Sequence, residues 1–474
     1  MLIIRRYEKG ESFVKKSLAG VTDMTSGNPY KLIFAFSIPL LIGNVFQQLY
    51  NMVDSIVVGN FVGEKALAAV GTGFPIIFML SSLFMGLGIG ATIMISQFYG
   101  AKDIDSVENT INTIYSAMMI GTIPLTIIGI VLGGPLLQLM KVPDDGTLAM
   151  AKVYLIVVFV GMIGNLGFNI NSGILQGLGD SRTSLLFLLI ATIINIILDL
   201  LFTVAFGWGV FGVAFATIIA QFCSWIFGIW FINKNFSFIH IQVFKFKFDP
   251  ALFKKAMKLG IPSGIQQALF SIGIMVMQAL VNSYGSAFMA GFNGANKIDT
   301  FAFMPIQSFS TAVTTYVGQN VGAARIDRVK TGTRSGLVLS IGSSIVISAA
   351  IYPLSALFMR MFNQNPEVIG GGVAYLHGVL PFYALLALLF TLNAVLRGAG
   401  EMTIPMVSTF VSLWFARVPV AYLIAQHWGK EYIYLSYAVG WFFGAVITVT
   451  YYKMGRWKNK SVVHSGIESE NAMI

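Results

Sequence analysis

Three aspartates lie inside long apolar stretches of this 474-residue chain: Asp54, Asp199 and Asp299. A charged side chain at the centre of a bilayer costs about 2.5–3.5 kcal/mol on the scale from insertion experiments, so such residues are rare and usually functional. A carboxyl group there can accept a proton or bind a cation. The three aspartates therefore indicate ion or substrate binding inside a membrane.

Two of these aspartates continue polar series at helical spacing. Asp54 ends the series Asn44, Gln47, Asn51, Asp54, and Asp199 ends the series Thr192, Asn195, Asp199. Steps of three or four place such residues on one helix face. Two more stretches carry similar stripes: Asn165, Asn169 and Gln176, and then Thr217, Gln221 and Ser224. In hydrocarbon these stripes must face the protein interior, so we expect them to meet at one cavity. For a single amide or hydroxyl, a hydrogen bond that only joins two helices is the alternative.

Asp299 belongs to a separate stripe with Asn293 and Asn296. Lys297 lies close to it in the sequence, so Asp299 either contacts substrate or forms a structural ion pair with Lys297. Both alternatives stay open at this point. The aromatic and thioether side chains that follow would suit a compliant pocket for aromatic ligands: Phe301, Phe303 and Met304.

The composition is that of a membrane protein. The chain is 56% hydrophobic and 11% charged, with a mean hydropathy of +0.77, whereas soluble domains carry about 25% charged residues. Crossing the hydrocarbon takes about 20 apolar residues. Such runs predict an all-α integral membrane fold with twelve spans: 32–58, 66–97, 110–133, 151–178, 184–206, 210–232, 259–283, 288–320, 335–358, 369–396, 404–426 and 432–452.

The basic residues are distributed unevenly between the two sides of these spans. Twenty-three of the 30 Lys and Arg residues, Arg397 among them, fall on one side and five on the other. This positive-inside bias predicts a multi-pass protein of the cell membrane with both termini cytoplasmic. It also explains the net charge of +10 without nucleic acid, so the lipid bilayer is the expected partner.

The second half of the sequence repeats the first. The motif Gln97-Phe-Tyr-Gly-Ala recurs as Gln319-Asn-Val-Gly-Ala, and Leu175-Gln-Gly-Leu-Gly-Asp recurs as Leu396-Arg-Gly-Ala-Gly-Glu. Six spans in each half predict two lobes related by a parallel pseudo-two-fold axis, with substrate in a central cavity between them. The predicted segments are a cytoplasmic arm (1–31), the N-lobe (32–232), an inter-lobe loop (233–258), the C-lobe (259–452) and a cytoplasmic tail (453–474), disordered past Lys458.

These motifs, in order and duplicated, resemble the multidrug and toxic compound extrusion (MATE) family. The resemblance covers about residues 28–455 and includes Pro39, Gln48, Asp54 and Gly59. It implies a secondary antiporter that exports amphipathic, often cationic, organic compounds in exchange for H⁺ or Na⁺. It implies no catalysis, no cofactor and no bound metal beyond the coupling ion, and we expect a monomer.

The resemblance also implies site residues. The ion-coupling network of the proton-coupled branch matches Asp54, Tyr154, Asn169, Asn195, Asp199 and Thr217. We predict that substrate contacts Asp299, Asn293, Asn296, Gln47, Asn51, Gln267, Phe303 and Met304. The sodium-coupled branch has a glutamate where this chain has Gln266 and Gln267, and it has an acid in the tenth span that this chain lacks. Proton coupling is therefore favoured, while Na⁺ at Asp54 and Asp199 stays open.

Three other functions fit the sequence less well. A flippase for lipid-linked saccharides, from a related transporter class, would favour cations in the central cavity, and only Lys297 and Arg417 fall within the spans. A membrane-embedded enzyme would need a metal or nucleophile set, which four scattered histidines do not offer. A channel is disfavoured because duplicated lobes suit alternating access.

Overall fold

Long helices make up the bundle in the computed structural model, which describes residues 21–243 and 245–463. Ten helices are long and apolar enough to cross a membrane, and a bent helix pair makes an eleventh span. One further helix, Ser286–Gly322, is 37 residues long. Because it carries the polar stripe of Asp299, its composition alone does not identify it as a membrane span. In chain order they are α1 (Pro29–Val62), α2 (Glu64–Gly100), α3 (Ile104–Leu139), α4 (Thr147–Val160 and Met162–Leu178), α5 (Ser181–Ala205), α6 (Gly209–Asn235), α7 (Pro250–Asn282), α8 (Ser286–Gly322), α9 (Ile326–Arg360), α10 (Pro366–Gly398), α11 (Thr403–His427) and α12 (Lys430–Met454). The predicted twelve-helix membrane fold is confirmed.

Several helices begin before their apolar runs because a side chain caps them there. Asp103 accepts a hydrogen bond from the amide of Ser106, and α3 begins six residues before the predicted span. Asp249 accepts from the amides of Ala251 and Leu252, so α7 begins at Pro250. Such caps satisfy amides that the helix leaves free. The segment between the halves is therefore shorter than the predicted loop 233–258.

The fourth span is bent by 53° at a single residue between its two segments. That residue is Gly161, and a Cβ atom there would lie 2.2 Å from the side chain of Ile218 on α6. The close contact between α4 and α6 therefore requires glycine at the bend.

The two halves pack together along α2 and α7 through small residues. A Cβ atom at Gly86 would lie 2.3 Å from the carbonyl oxygen of Gly260, and one at Gly90 would lie 2.7 Å from that of Ala256. Glycines four residues apart let membrane helices approach closely. Gly86 and Gly90 therefore serve the close packing of the two halves.

At one end of the bundle, which we call the terminal end because it holds residues 21–24 and 461–463, the halves are also joined by hydrogen bonds. Gln97 on α2 donates to the carbonyl oxygen of Gly398 (2.9 Å) and accepts from the amide of Val462 (2.7 Å). Val462 is buried, so this part of the predicted disordered tail is ordered. Residues 464–474 of that tail and residues 1–20 of the predicted arm lie outside the described residues.

Gln319, the repeat equivalent of Gln97, makes the matching contacts. Its side chain accepts from the amide of Met24 (2.9 Å) and donates to the carbonyl oxygen of Gly177 (3.4 Å). Each glutamine thus binds a turn of the other half and one end of the described chain. The terminal end is closed by these two reciprocal contacts.

Candidate functional site

The side chains of Asp54 on α1 and Asp199 on α5 meet inside the first half. Their carboxyl groups lie within hydrogen-bonding distance of each other. Asp199 is fully buried and Asp54 is partly buried. Both residues precede wide π-helical turns, which run from Val58 to Val62 and from Leu200 to Ala205. Such turns often mark functional sites.

Four buried oxygen atoms of the pair and of neighbouring Asn195 have no hydrogen-bond donor among the described residues. They are one oxygen of Asp54, both oxygens of Asp199 and the side-chain oxygen of Asn195. Buried polar atoms without a partner are rare in native structures. Two adjacent carboxyl groups also resist double ionisation, because like charges repel strongly at short range. A cluster of this kind can hold a proton or a small cation.

Neighbouring polar groups come from α1, α4 and α6. The Asn195 amide and the Tyr50 hydroxyl both lie 3.4 Å from the Thr217 hydroxyl. The phenol of Tyr154 lies within electrostatic range of both aspartates. The structure thus brings together five of the six predicted ion-coupling residues.

Among the described residues, no hydrogen bond joins the sixth predicted residue, Asn169, to the aspartates. Its side chain is exposed and donates to the carbonyl oxygen of Asn165 on the same helix (2.8 Å). Tyr50 takes part in the site instead, and the sequence prediction missed it. It stands four residues before Asp54, so helical spacing could have found it.

The predicted substrate residues on α1 lie on an open face of that helix. Gln47 and Asn51 are exposed. Asn44, one turn away, donates to the hydroxyl of Ser308 on α8 (3.1 Å). The polar face of α1 therefore turns toward the second half of the protein.

Asp299 is held by two tyrosines of α10. The Tyr375 hydroxyl donates to one carboxylate oxygen (3.0 Å) and the Tyr383 hydroxyl donates to the other. The ammonium group of Lys297 makes no ion pair in the part of the chain that the structure describes and lies 5.7 Å from the ring centre of Phe362. The structure thus does not show the Lys297 pair that the sequence left open.

The other predicted substrate residues of α8 are divided between different environments. Asn296 accepts from the Tyr375 hydroxyl (3.3 Å), Met304 is buried, and Asn293 is exposed. Phe303 packs edge-on against Phe390, with 5.0 Å between ring centres. Only Phe303 among these residues faces the cavity described next.

A cavity of about 350 Å³ lies mostly in the second half, and we call it the C-lobe cavity. Its volume is in the range of small-molecule sites, about 300–1,000 Å³. Its walls combine amide, hydroxyl and aromatic groups with two arginines, and they carry no acid and no lysine. The lining residues include Gln176, Gln266, Gln267, Phe270, Phe303, Ser310, Thr315, Phe390, Arg397, Arg417 and Trp441.

The sequence prediction identified Gln267 and Phe303 in this wall but not Arg397. It placed Arg397 in a basic loop, whereas α10 continues to Gly398 and the guanidinium faces the cavity. The repeat held a signal: Arg397 is the equivalent of Gln176, which belongs to a predicted polar stripe and also lines the cavity.

Comparison with known proteins agrees with this architecture. The MatE family model matches residues 39–201 and again residues 262–423. A probable multidrug resistance protein of Bacillus subtilis, YpnP, is 31% identical over 92% of this chain and 97% of its own length. A probable multidrug resistance protein NorM of Thermotoga maritima is 26% identical over 91% of this chain and 94% of its own length.

Solved structures show the same fold. A crystal structure of MATE in the bent conformation superposes with a TM-score of 0.86 at 25% identity, covering 94% of this chain and all of that one. An outward-facing multidrug resistance MATE transporter superposes with a TM-score of 0.83 at 24% identity, covering 93% of this chain and 98% of that one. Because the family model matches both halves in order, this chain belongs to the MatE family of multidrug and toxic compound extrusion transporters.

Proposed function

We propose that this transporter is a secondary antiporter that exports amphipathic, often cationic, organic compounds and takes up protons in exchange. The relatives from Bacillus subtilis and Thermotoga maritima, both probable multidrug resistance proteins, support the export of such compounds. The observation that carries the coupling mechanism is the contact between Asp54 and Asp199.

The chemistry of the pair suits ion exchange. Burial disfavours two negative charges side by side, so a proton shared by the two carboxyl groups stabilises the closed cluster. Loss of that proton leaves adjacent charges that favour a different arrangement of α1 and α5. A ligand shifts such an equilibrium only by its differential affinity for the two states. A proton that binds one arrangement better can thus drive the change in access.

Sodium would satisfy the same four oxygen atoms, so the choice of proton rests on the second half. Gln266, which stands where the sodium-coupled branch has an acid, hydrogen-bonds Thr409 (2.6 Å) and accepts from Arg397 (3.2 Å). This position therefore offers no carboxylate to a sodium ion. We therefore favour protons and keep sodium as the alternative to be tested.

We further propose a multi-pass protein of the cell membrane with the terminal end in the cytoplasm. The positive-inside bias of the loops supports this orientation. The contacts of Gln97 and Gln319 would then close the cytoplasmic end in the conformation described here.

A lipid-linked saccharide flippase remains the second candidate, because one observation favours it. The C-lobe cavity contains two arginines, Arg397 and Arg417, whereas the sequence placed only Arg417 and Lys297 within spans. The volume of the C-lobe cavity, about 350 Å³, suits a lipid head group better than a saccharide chain, and this counts against the flippase.

The function is tested by reconstituting the full chain in liposomes and following efflux of an ethidium-type dye. An imposed pH gradient at constant Na⁺ should drive transport, and an imposed Na⁺ gradient at constant pH should not. Asp54→Asn and Asp199→Asn should each abolish gradient-driven transport with near-normal expression, whereas Asp105→Asn, an exposed acid on α3, should not. Transport at the wild-type rate in both site variants would exclude the pair as the coupling site. Movement of a fluorescent lipid analogue with no dye efflux would favour the flippase.

A further inference from the structure

The walls of the C-lobe cavity carry two guanidinium groups that form no ion pair within the described residues. Arg397 and Arg417 both line the cavity, and neither forms an ion pair among the described residues. Charged groups taken out of water are normally paired. Two unpaired guanidinium groups in one wall therefore form an unusual site.

The arginines are held in place by neutral contacts. Arg397 donates to the side-chain oxygen of Gln266 (3.2 Å). The guanidinium carbon of Arg417 lies 3.3 Å from the centre of the Tyr437 ring, a cation–π arrangement. Arg417 ends a π-helical turn of α11 that runs from Val411. Asp299 lies within electrostatic range of Arg417 but is bound by its two tyrosines.

Hydrogen-bond donors remain unused around the same cavity. The Nε atoms of Arg397 and Arg417 and the hydroxyls of Ser310 and Thr315 are buried without a partner. Arg417 is 8% exposed and Thr315 is 1% exposed. These four groups lie on α8, α10 and α11, so the unused donors surround the cavity rather than cluster on one helix.

We propose that the C-lobe cavity binds the anionic group of an amphipathic organic compound: a carboxylate, sulfonate or phosphate. Guanidinium groups bind these oxyanions through charge-assisted, often bidentate hydrogen bonds. The apolar part of the ligand packs against aromatic side chains that share the wall: Phe270, Phe303, Phe390 and Trp441. The inference rests on the proposed export function and widens its substrate class to organic anions and to zwitterions.

The cavity also meets the first half of the protein. Gln176 and three residues of α2 complete its wall: Ile89, Thr92 and Ile93. A bound anion thus contacts both halves near the contact between α2 and α7. This position lets the ligand favour one relative arrangement of the halves over another.

The test measures binding at equilibrium, without any gradient, to the full-length protein in phosphatidylcholine nanodiscs. The probes are 2-naphthoate and its neutral amide, 2-naphthamide, titrated calorimetrically against empty nanodiscs as the baseline. We expect the carboxylate to bind at least about 10-fold more tightly than the amide. Arg397→Gln and Arg417→Gln should each weaken naphthoate binding by about 10- to 100-fold, because a hydrogen bond to a charged group is lost.

Matched variants keep the test interpretable. Arg360→Gln removes an exposed arginine of the same half that does not line the cavity, and it should leave binding unchanged. Arg397→Lys should restore part of the affinity, since charge is kept while the planar fork is lost. Arg397 is half-buried whereas Arg417 is buried, so the Arg397 variants decide the test where Arg417→Gln does not fold.

Two sources of the anion are distinguished by lipid composition. Naphthoate binding that is equal in phosphatidylcholine and phosphatidylglycerol nanodiscs assigns the site to a free organic anion. Competition of phosphatidylglycerol with naphthoate, if this competition is lost in Arg397→Gln, assigns the site to a lipid head group. Both results support an anion site. Any of three results overturns the proposal: equal affinity for naphthoate and naphthamide, unchanged naphthoate affinity in both arginine variants, or no binding of naphthoate. Naphthoate binding in nanodiscs needs no gradient, whereas dye efflux from liposomes does, so failure of the coupling mechanism is seen separately in the efflux assay.

Discussion

The tyrosines around Asp299 make its role measurable. Tyr383 is 1% exposed, and its hydroxyl donates to a carboxylate oxygen of Asp299. A hydrogen bond to a charged group contributes about 1.5–3 kcal/mol, and removing the donor leaves the carboxylate under-satisfied. Tyr383→Phe should therefore lower the free energy of unfolding by about that amount. For a unit of about 200 residues, 1 kcal/mol corresponds to about 2–4 °C, so we expect the melting temperature to fall by about 3–12 °C.

The assay is thermal unfolding of the purified full-length protein in one detergent, read by intrinsic fluorescence. Tyr352→Phe is the matched control, because the Tyr352 ring is 41% exposed and stacks on His377 through its face. Asp299→Asn and the double variant complete a cycle, in which coupled partners should give a combined effect smaller than the sum. The reasoning fails if Tyr383→Phe melts within 1 °C of the wild type. An Asp299→Asn variant with normal melting but altered preference among cationic and neutral substrates would assign Asp299 to substrate binding instead.

Two further predictions concern the terminal end. Replacing Gln97 or Gln319 by alanine should weaken the closure of the terminal end. A cysteine placed at an exposed position near Gly177 or Gly398 should then react faster with a thiol reagent. Unchanged reaction rates in both variants would contradict a closing role. Burial raises the pKa of Glu401, but the Tyr451 hydroxyl and the Lys460 ammonium lower it by more, so this pKa lies below its usual value. This stabilisation is present above the usual glutamate pKa of about 4.3 and is lost as the pH falls through the lower folded value. Melting temperatures between pH 7 and pH 3.5 should therefore fall more steeply in the wild type than in Glu401→Gln, and parallel curves would contradict the assignment.

Much of the fold and of the aspartate site could be predicted because both depend on local periodicity. Apolar runs mark the spans, and steps of three or four residues place Asn195 and Asp199 on one face of α5. The resemblance, and not periodicity, links Asn169 to the aspartates; its side chain is exposed and donates to the carbonyl oxygen of Asn165 on its own helix, so its role in the network stays a prediction.

Other features depend on contacts between residues far apart in the sequence. The tyrosines that hold Asp299 lie 76 and 84 residues away from it, so no local pattern pairs them with it, whereas Lys297 is a sequence neighbour. Arg397 was placed outside the membrane because a cation at the end of an apolar run resembles a loop residue. In the folded bundle its guanidinium bonds Gln266 of α7 and becomes part of the wall of a cavity.

The central claim, that Asp54 and Asp199 bind the exchanged ion, is tested most directly by proton release. Purified full-length protein in weakly buffered detergent, with a pH indicator present, is mixed with a dye that the efflux assay shows to be transported. The account predicts that the wild type releases protons on binding the dye and that Asp54→Asn and Asp199→Asn release none, while Asn169→Ala behaves as the wild type. Equal proton release by the wild type and both aspartate variants would contradict it.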